Sequence, residues 1–182
     1  MREIITKIIC VFSIIIYLDS CAVPLPEDAY YTSYKVETDI NRFDNRKTVS
    51  ESANYVKVDG LTEVIFFNLQ IFRNLDDPTL GGNFISVSYF GEDFLSIPEG
   101  ESLKFIADDQ LIVLSTVKKP SKDILPNNGG VMEIAIYDLP RDTALKLAES
   151  TALETQLYTL RFPVPKITRD RWKRFIYTHW PK

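Results

Sequence analysis

The sequence has few of the residues that crosslink proteins or bind transition metals. It contains two cysteines and one histidine in 182 residues. Cys10 lies in an apolar N-terminal segment that we expect to be removed, so Cys21 has no cysteine left to pair with and no disulfide is expected. His179 lies near the C-terminus among aromatic residues, with no nucleophile and orienting acid beside it, which argues against a catalytic triad. A single histidine with no remaining thiol also argues against a transition-metal site. We therefore predict neither a metal nor a cofactor.

The chain also lacks an excess of basic residues and a long apolar run. Its formal net charge of -4 gives no general electrostatic reason to bind nucleic acid, so no nucleic-acid partner is predicted. The longest apolar run, residues 8–17, has about half of the roughly twenty residues that a membrane-spanning helix needs. An apolar fraction of 45% is nevertheless typical of a folded globular protein.

The short apolar run is typical of an export signal. Arg2 and Lys7 precede it, and Leu18-Asp19-Ser20-Cys21 follows it and resembles the lipobox of bacterial lipoproteins. Residues 1–20 are therefore predicted to be a lipoprotein-type signal peptide, with Cys21 as the lipidation site. Asp19 departs from the lipobox pattern, and the small residues around Cys21 also allow ordinary signal-peptidase cleavage before Val23.

These two alternatives give two locations. Lipidation at Cys21 predicts an envelope protein anchored in a membrane, the outer membrane by preference, on its periplasmic or surface side. Cleavage before Val23 predicts a secreted or periplasmic protein. In either case residues 21–32, with two prolines and two acids within 22–28, are predicted to form a tether, and residues 33–182 a single domain.

The remaining pattern predicts an α+β domain. Along 64–73 every second residue from Ile65 to Ile71 is apolar, whereas the other set becomes polar at Asn68 and Gln70, so the first set is expected to face the core. Two apolar segments, 103–106 and 111–114, flank Asp108-Asp109 in the manner of a hairpin. Because both faces of that hairpin are apolar apart from Lys104, we expect it to be covered on both sides at the centre of the fold. Helical spacing of apolar residues after Pro140 and again over 168–180 predicts two helices. The predicted fold is a curled, mainly antiparallel sheet of six to eight strands, either open or folded over as a sandwich, with both helices on one face.

Charge and acidic pairs supply the candidate sites. The last 22 residues hold seven basic residues and one acid, and Arg169, Lys173 and Arg174 are the candidate contacts with an anionic surface such as lipid headgroups. The alternative is an ordinary solvated helix face. Three acidic pairs, Asp76-Asp77, Glu92-Asp93 and Asp108-Asp109, could supply a glycosidase-like acid and base, or could simply be turn residues.

The segments SVSYFGEDFLSI, SLKFIADDQLIVLS and EIAIYDLPRDTALKLAES together resemble uncharacterised bacterial secreted or lipoprotein domains. The resemblance implies an envelope location and no particular activity. The leading functional hypothesis is a non-enzymatic binding or structural domain, with a membrane contact through Cys21 and a protein partner or small apolar ligand. The alternatives are a hydrolase that uses turn carboxylates and a peripheral polyanion-binding protein.

Overall fold

The computed structural model describes residues 34–52, 54–57, 63–77, 80–126 and 129–180. The predicted signal peptide, the lipidation site Cys21 and the tether lie outside these residues. Neither helix among the described residues is long and apolar enough to cross a membrane.

The described chain contains eleven strands and two helices. The strands are β1 (Lys35–Asn41), β2 (Arg46–Ser52), β3 (Tyr55–Lys57), β4 (Val64–Asn74), β5 (Gly81–Gly91), β6 (Leu103–Ala107), β7 (Gln110–Leu114), β8 (Ser121–Ile124), β9 (Val131–Asp138), β10 (Leu153–Leu157) and β11 (Leu160–Pro163). The helices are α1 (Arg141–Glu149) and α2 (Lys166–His179). The predicted α+β class, with antiparallel strands and two helices, is confirmed, although the number of strands exceeds the predicted six to eight.

The large sheet has seven strands in the order β1-β2-β4-β5-β9-β8, and β3 pairs with β4 beside β2. Its centre is the pair β4 and β5, each of eleven residues. In β4 the predicted alternation is confirmed, since the side chains of Ile65, Phe67, Leu69 and Ile71 are all buried. An alternating strand of this kind buries one face and leaves the other to polar or half-buried side chains.

The small sheet has four strands in the order β11-β10-β6-β7. It contains the predicted hairpin, with Asp108 and Asp109 in the turn, and both residues have the positive φ that a two-residue type I′ turn requires. Neither sheet closes on itself, because β1 and β8 are the edges of the first and β11 and β7 the edges of the second.

The predicted position of the hairpin is wrong. Phe105 is fully buried, but Ile106 and Leu111 expose 44% and 65% of their surfaces, and β7 is an edge strand of the small sheet. Among the residues that the structure describes, the hairpin is therefore covered on one face only. Apolar residues on both faces are compatible with two-sided burial without requiring it, because proteins also carry apolar residues at their surfaces.

The core lies between the inner faces of the two sheets and is completed by the helices. The ring of Phe67 in β4 lies 6.4 Å from that of Phe105 in β6 and 6.3 Å from that of Trp172 in α2. The predicted stripe of α1, Ala144, Leu147 and Ala148, is buried in the same core. Since α2 contacts both sheets, it holds the two layers together.

Two local boundaries differ from the predictions. The sequence of residues 156–163 predicts one strand, but in the structure they belong to β10 and β11, which form a hairpin in which Tyr158 has a φ of 51°. The turn lacks the glycine or asparagine that usually marks such a position, which is why the sequence pattern missed it. The sequence predicts Thr168 as the N-cap of the last helix, but α2 begins at Lys166 after Pro165, and Thr168 is buried inside the helix.

Candidate binding groove

The outer face of the small sheet carries two rows of side chains that cross its strands. Lys104, Gln156 and Arg161 are directly paired neighbours on β6, β10 and β11. One step along the strands, a second row consists of Leu111, Ile106, Glu154 and Pro163 on β7, β6, β10 and β11. Because side chains alternate across a strand, all of them point away from the buried residues of the same strands. Over β6, β10 and β11 the first row is polar and mainly basic, and it continues on β7 with the apolar Val113. The second row is mainly apolar.

These two rows, together with Thr155 and Phe162 from the same strands, line a cavity of about 460 Å³. We call it the outer groove, and define it by Lys104, Ile106, Leu111, Glu154, Gln156, Arg161 and Pro163. Its volume is within the range of about 300 to 1,000 Å³ that is usual for small-molecule sites. The floor combines exposed apolar carbon with a few charged groups, which is the composition such sites have.

The hairpin that forms one side of the outer groove is held in place by Asp108. Its carboxylate accepts hydrogen bonds from the Thr151 hydroxyl at 2.6 Å and from the backbone N–H groups of Thr151 and Ala152 at 3.0 Å. The Thr151 hydroxyl and these amides hold the pKa of Asp108 below its ordinary value. One member of the Asp108-Asp109 pair is thus committed to joining the β6–β7 turn to the loop before β10.

Sequence reasoning missed the outer groove because it placed Ile106 and Leu111 in the interior. One signal could have shown their exposure. Lys104 is on the same face of β6 as Ile106, whereas Leu103, Phe105 and Ala107 are on the other and are buried. A lysine that alternates with apolar residues indicates which face of a strand meets solvent.

The candidate contacts with an anionic surface have different environments. Arg169 donates hydrogen bonds to the backbone oxygens of Ser150 and Thr151, just after the end of α1, where cations stabilise a helix C-terminus. Lys173 forms a 3.4 Å ion pair with Glu149. Arg174 is exposed and makes no ion pair with a described residue. Two of the three side chains therefore also dock α2 on α1, and a contact with a polyanion remains a prediction.

The other predicted candidates are not brought together. Glu92-Asp93 lies in the loop after β5, Asp76-Asp77 in the turn after β4, and Asp108-Asp109 in the turn after β6. In the described part of the chain, no three histidine, cysteine or acidic side chains are grouped so that they could hold a metal ion. His179 is half-buried, with its ring 5.4 Å from that of Phe175, so it packs beside the core stripe of α2.

Two carboxylates are buried away from the outer groove. Glu51 in β2 is 2% exposed and accepts hydrogen bonds from the Leu69 backbone N–H at 3.1 Å and from the Tyr34 hydroxyl at 3.2 Å. Burial raises the pKa of Glu51 to about 8, although these two donors and the nearby Arg171 favour the charged form. Such a buried group cannot meet a ligand directly, so we treat Glu51 as structural.

Glu133 in β9 is the second buried carboxylate. It accepts hydrogen bonds from the backbone N–H groups of Ser96 at 2.7 Å and Ile97 at 3.1 Å, and Lys122 lies 3.5 Å away. Ser96 has a φ of 58°, a conformation that residues other than glycine seldom adopt. Glu133 therefore holds the loop between β5 and β6 in a conformation that its sequence alone does not favour.

Fold and groove together define a class of protein, an open two-sheet α+β domain with a small-molecule-sized groove on its outer face. Comparison with protein-family models, with curated proteins and with solved structures found no match for the chain. A functional conclusion must therefore come from the groove itself.

Proposed function

We propose that this protein is a non-enzymatic binding domain of the cell envelope, and that it holds a small apolar ligand in the outer groove. The observation that carries the proposal is the paired exposure of Ile106 and Leu111 on the floor of the groove. Removing apolar surface from water contributes about 25 cal/mol per Å², so a ligand that covers these side chains gains affinity from them. Pro163 extends the same apolar row.

The chemistry of the groove favours binding over catalysis. Glu154 is the one carboxylate in its lining, and the lining includes no histidine, cysteine or serine. An acid-base mechanism of the glycosidase type needs two carboxylates placed on either side of a bond. We therefore prefer binding to the hydrolase hypothesis.

A neutral fluorescent probe, N-phenyl-1-naphthylamine, tests the proposal because its emission rises in an apolar site. We expect saturable binding to the wild-type domain, and about tenfold weaker binding or more after the double substitution Ile106→Thr and Leu111→Thr, because both changes remove apolar contact area. Threonine retains a high preference for strands, so the sheet should be kept. Phe43→Ser is the matched control, since Phe43 is a fully exposed apolar residue at the turn between β1 and β2.

Equal binding by the wild-type protein and the double variant would overturn the proposed site. Absence of probe binding to the wild-type protein would overturn the binding function and favour a structural role. An unchanged circular dichroism spectrum of the double variant separates loss of the site from loss of the fold.

The envelope location is a second part of the proposal and depends on Cys21. We infer that the thiol is lipidated and that the domain is held at a membrane by the segment that follows. In a bacterial host we expect the full chain in the membrane fraction and the Cys21→Ser variant out of it. Mass spectrometry of the mature protein provides the direct test, because a free Val23 N-terminus would contradict lipidation.

A further inference from the structure

Within the described part of the chain, the two basic side chains of the outer groove have no charged partner. Lys104 and Arg161 make no ion pair with any described residue, whereas Lys122, Lys166 and Lys173 each lie within 4.0 Å of a carboxylate. Charged side chains are usually solvated, so lack of a partner alone is unremarkable. Here, however, both are placed in the wall of a cavity with an apolar floor.

The register of the small sheet places these two cations on either side of one residue. Gln156 in β10 pairs with Lys104 in β6 and with Arg161 in β11. Neighbouring strands are about 4.8 Å apart, so the two backbone positions are separated by about 10 Å. Lysine and arginine side chains are long enough to meet over the intervening residue, and the guanidinium group of Arg161 can bind a carboxylate through two hydrogen bonds.

The single acid of the groove is in the other row. Glu154 lies between Ile106 and Pro163 in the cross-strand register and forms no ion pair with Lys104 or Arg161. The anionic group of a ligand would therefore be attracted to Lys104 and Arg161 and repelled by Glu154. On the same outer face, Ile106 and Leu111 lie on β6 and β7, toward the edge of the small sheet opposite to the β11 edge that carries Arg161.

The outer groove therefore has a cationic part, formed by Lys104 and Arg161, and an apolar part, formed by Ile106 and Leu111. We propose that the ligand of the outer groove is an amphiphile with a single anionic headgroup, bound between Lys104 and Arg161, and with its hydrocarbon part over Ile106 and Leu111. The proposal rests on the binding function proposed above and specifies the chemical class of the ligand. A carboxylate and a phosphate ester share the required chemistry, and the carboxylate is the simpler probe.

A matched series of compounds with chains of about ten carbons tests the charge requirement. Decanoate, decanol and decyltrimethylammonium, all used below their micelle concentrations and at low salt, are compared for their ability to displace N-phenyl-1-naphthylamine. We expect decanoate to displace the probe at a concentration at least tenfold lower than either of the others, because only decanoate is attracted by both cations. Decanoate binding is also measured directly by calorimetry. Decyl phosphate in the same assay distinguishes a carboxylate from a phosphate headgroup.

Charge-removing variants locate the headgroup. Arg161→Gln and Lys104→Gln should each weaken decanoate binding about tenfold while leaving the affinity for the neutral probe unchanged. Arg42→Gln, which removes an exposed charge near the turn between β1 and β2, is the control and should change neither affinity. Higher salt should weaken decanoate binding and not probe binding.

Two results would overturn the inference. If the three compounds displace the probe equally, the groove recognises apolar surface alone, and the proposed function stands without a charged ligand. If decyltrimethylammonium binds best, Glu154 sets the preference and the ligand is a cation. Failure of the neutral probe to bind would instead contradict the proposed function itself, so the two failures are distinguishable.

Discussion

Substitution of Glu51 by glutamine should change how the stability of the domain depends on pH. Burial raises the pKa of this carboxyl to about 8, from an ordinary value of 4.5. The folded state therefore binds the Glu51 proton more tightly than the unfolded state does. Between pH 4.5 and about 8 the folded state holds more protons, so the free energy of unfolding must fall as the pH rises through this window.

The size of the effect follows from how far burial raises the pKa of Glu51. At about 1.4 kcal/mol for each unit of pKa, the raised pKa sets a ceiling of about 5 kcal/mol on the loss of stability. Water entry and side-chain rearrangement on ionisation should reduce the observed loss to about 2–3 kcal/mol. Below pH 4.5 the carboxyl is protonated in both states, and it makes no further contribution to the pH dependence there.

Urea denaturation at pH 5, 6, 7 and 8 provides the measurement, with the fluorescence of the buried Trp172 and Trp180 as the signal. Glu51→Gln keeps a side-chain oxygen for the Leu69 N–H and cannot ionise, so its stability should change little over this range. We expect it to exceed the wild-type protein by about 2–3 kcal/mol at pH 8 and to be within about 1 kcal/mol of it at pH 5.

Glu101→Gln is the matched control, because Glu101 is exposed in the loop before β6. Its stability should follow that of the wild-type protein at every pH. Parallel curves for the wild-type protein and Glu51→Gln from pH 5 to 8 would refute the reasoning. They would mean that Arg171 and the two hydrogen-bond donors outweigh the cost of burial, so that Glu51 is ionised in the folded protein at neutral pH.

Two further predictions concern what holds the layers together. Glu133→Ala should lower the free energy of unfolding by about 2–4 kcal/mol, because the Ser96 and Ile97 N–H groups lose their acceptor. Urea denaturation measures the loss, and the exposed Asp138→Ala at the end of the same strand should have little effect, so similar losses in the two variants would contradict the role of Glu133. Trp172→Ala should cost about 3–5 kcal/mol by leaving a cavity between the sheets, whereas Ile167→Ala on the exposed part of α2 should cost under about 1 kcal/mol. A tolerated Trp172→Ala would show that α2 does not join the layers.

Local patterns in the sequence determined the elements of this fold. The alternation in β4 predicted which of its side chains are buried, because successive residues of a strand must point to opposite faces. The spacing of Ala144, Leu147 and Ala148 similarly predicted the buried stripe of α1. The predictions for Cys21 and for the export signal also came from the sequence, and they concern residues outside those the structure describes.

Tertiary structure decided which apolar faces are covered. The segment that contains Ile106 and Leu111 reads as a two-sided core hairpin, yet β7 pairs on one side only, and no layer formed by the described residues covers the outer face of the small sheet. Burial of a face depends on residues distant in the chain, and those pairings are not encoded in the segment itself. Long-range strand pairing also placed Lys104 and Arg161 on either side of Gln156. Glu51 and Glu133 are likewise buried by residues that are distant from them in the sequence. The groove is thus a product of strand order, while the strands themselves are a product of local sequence.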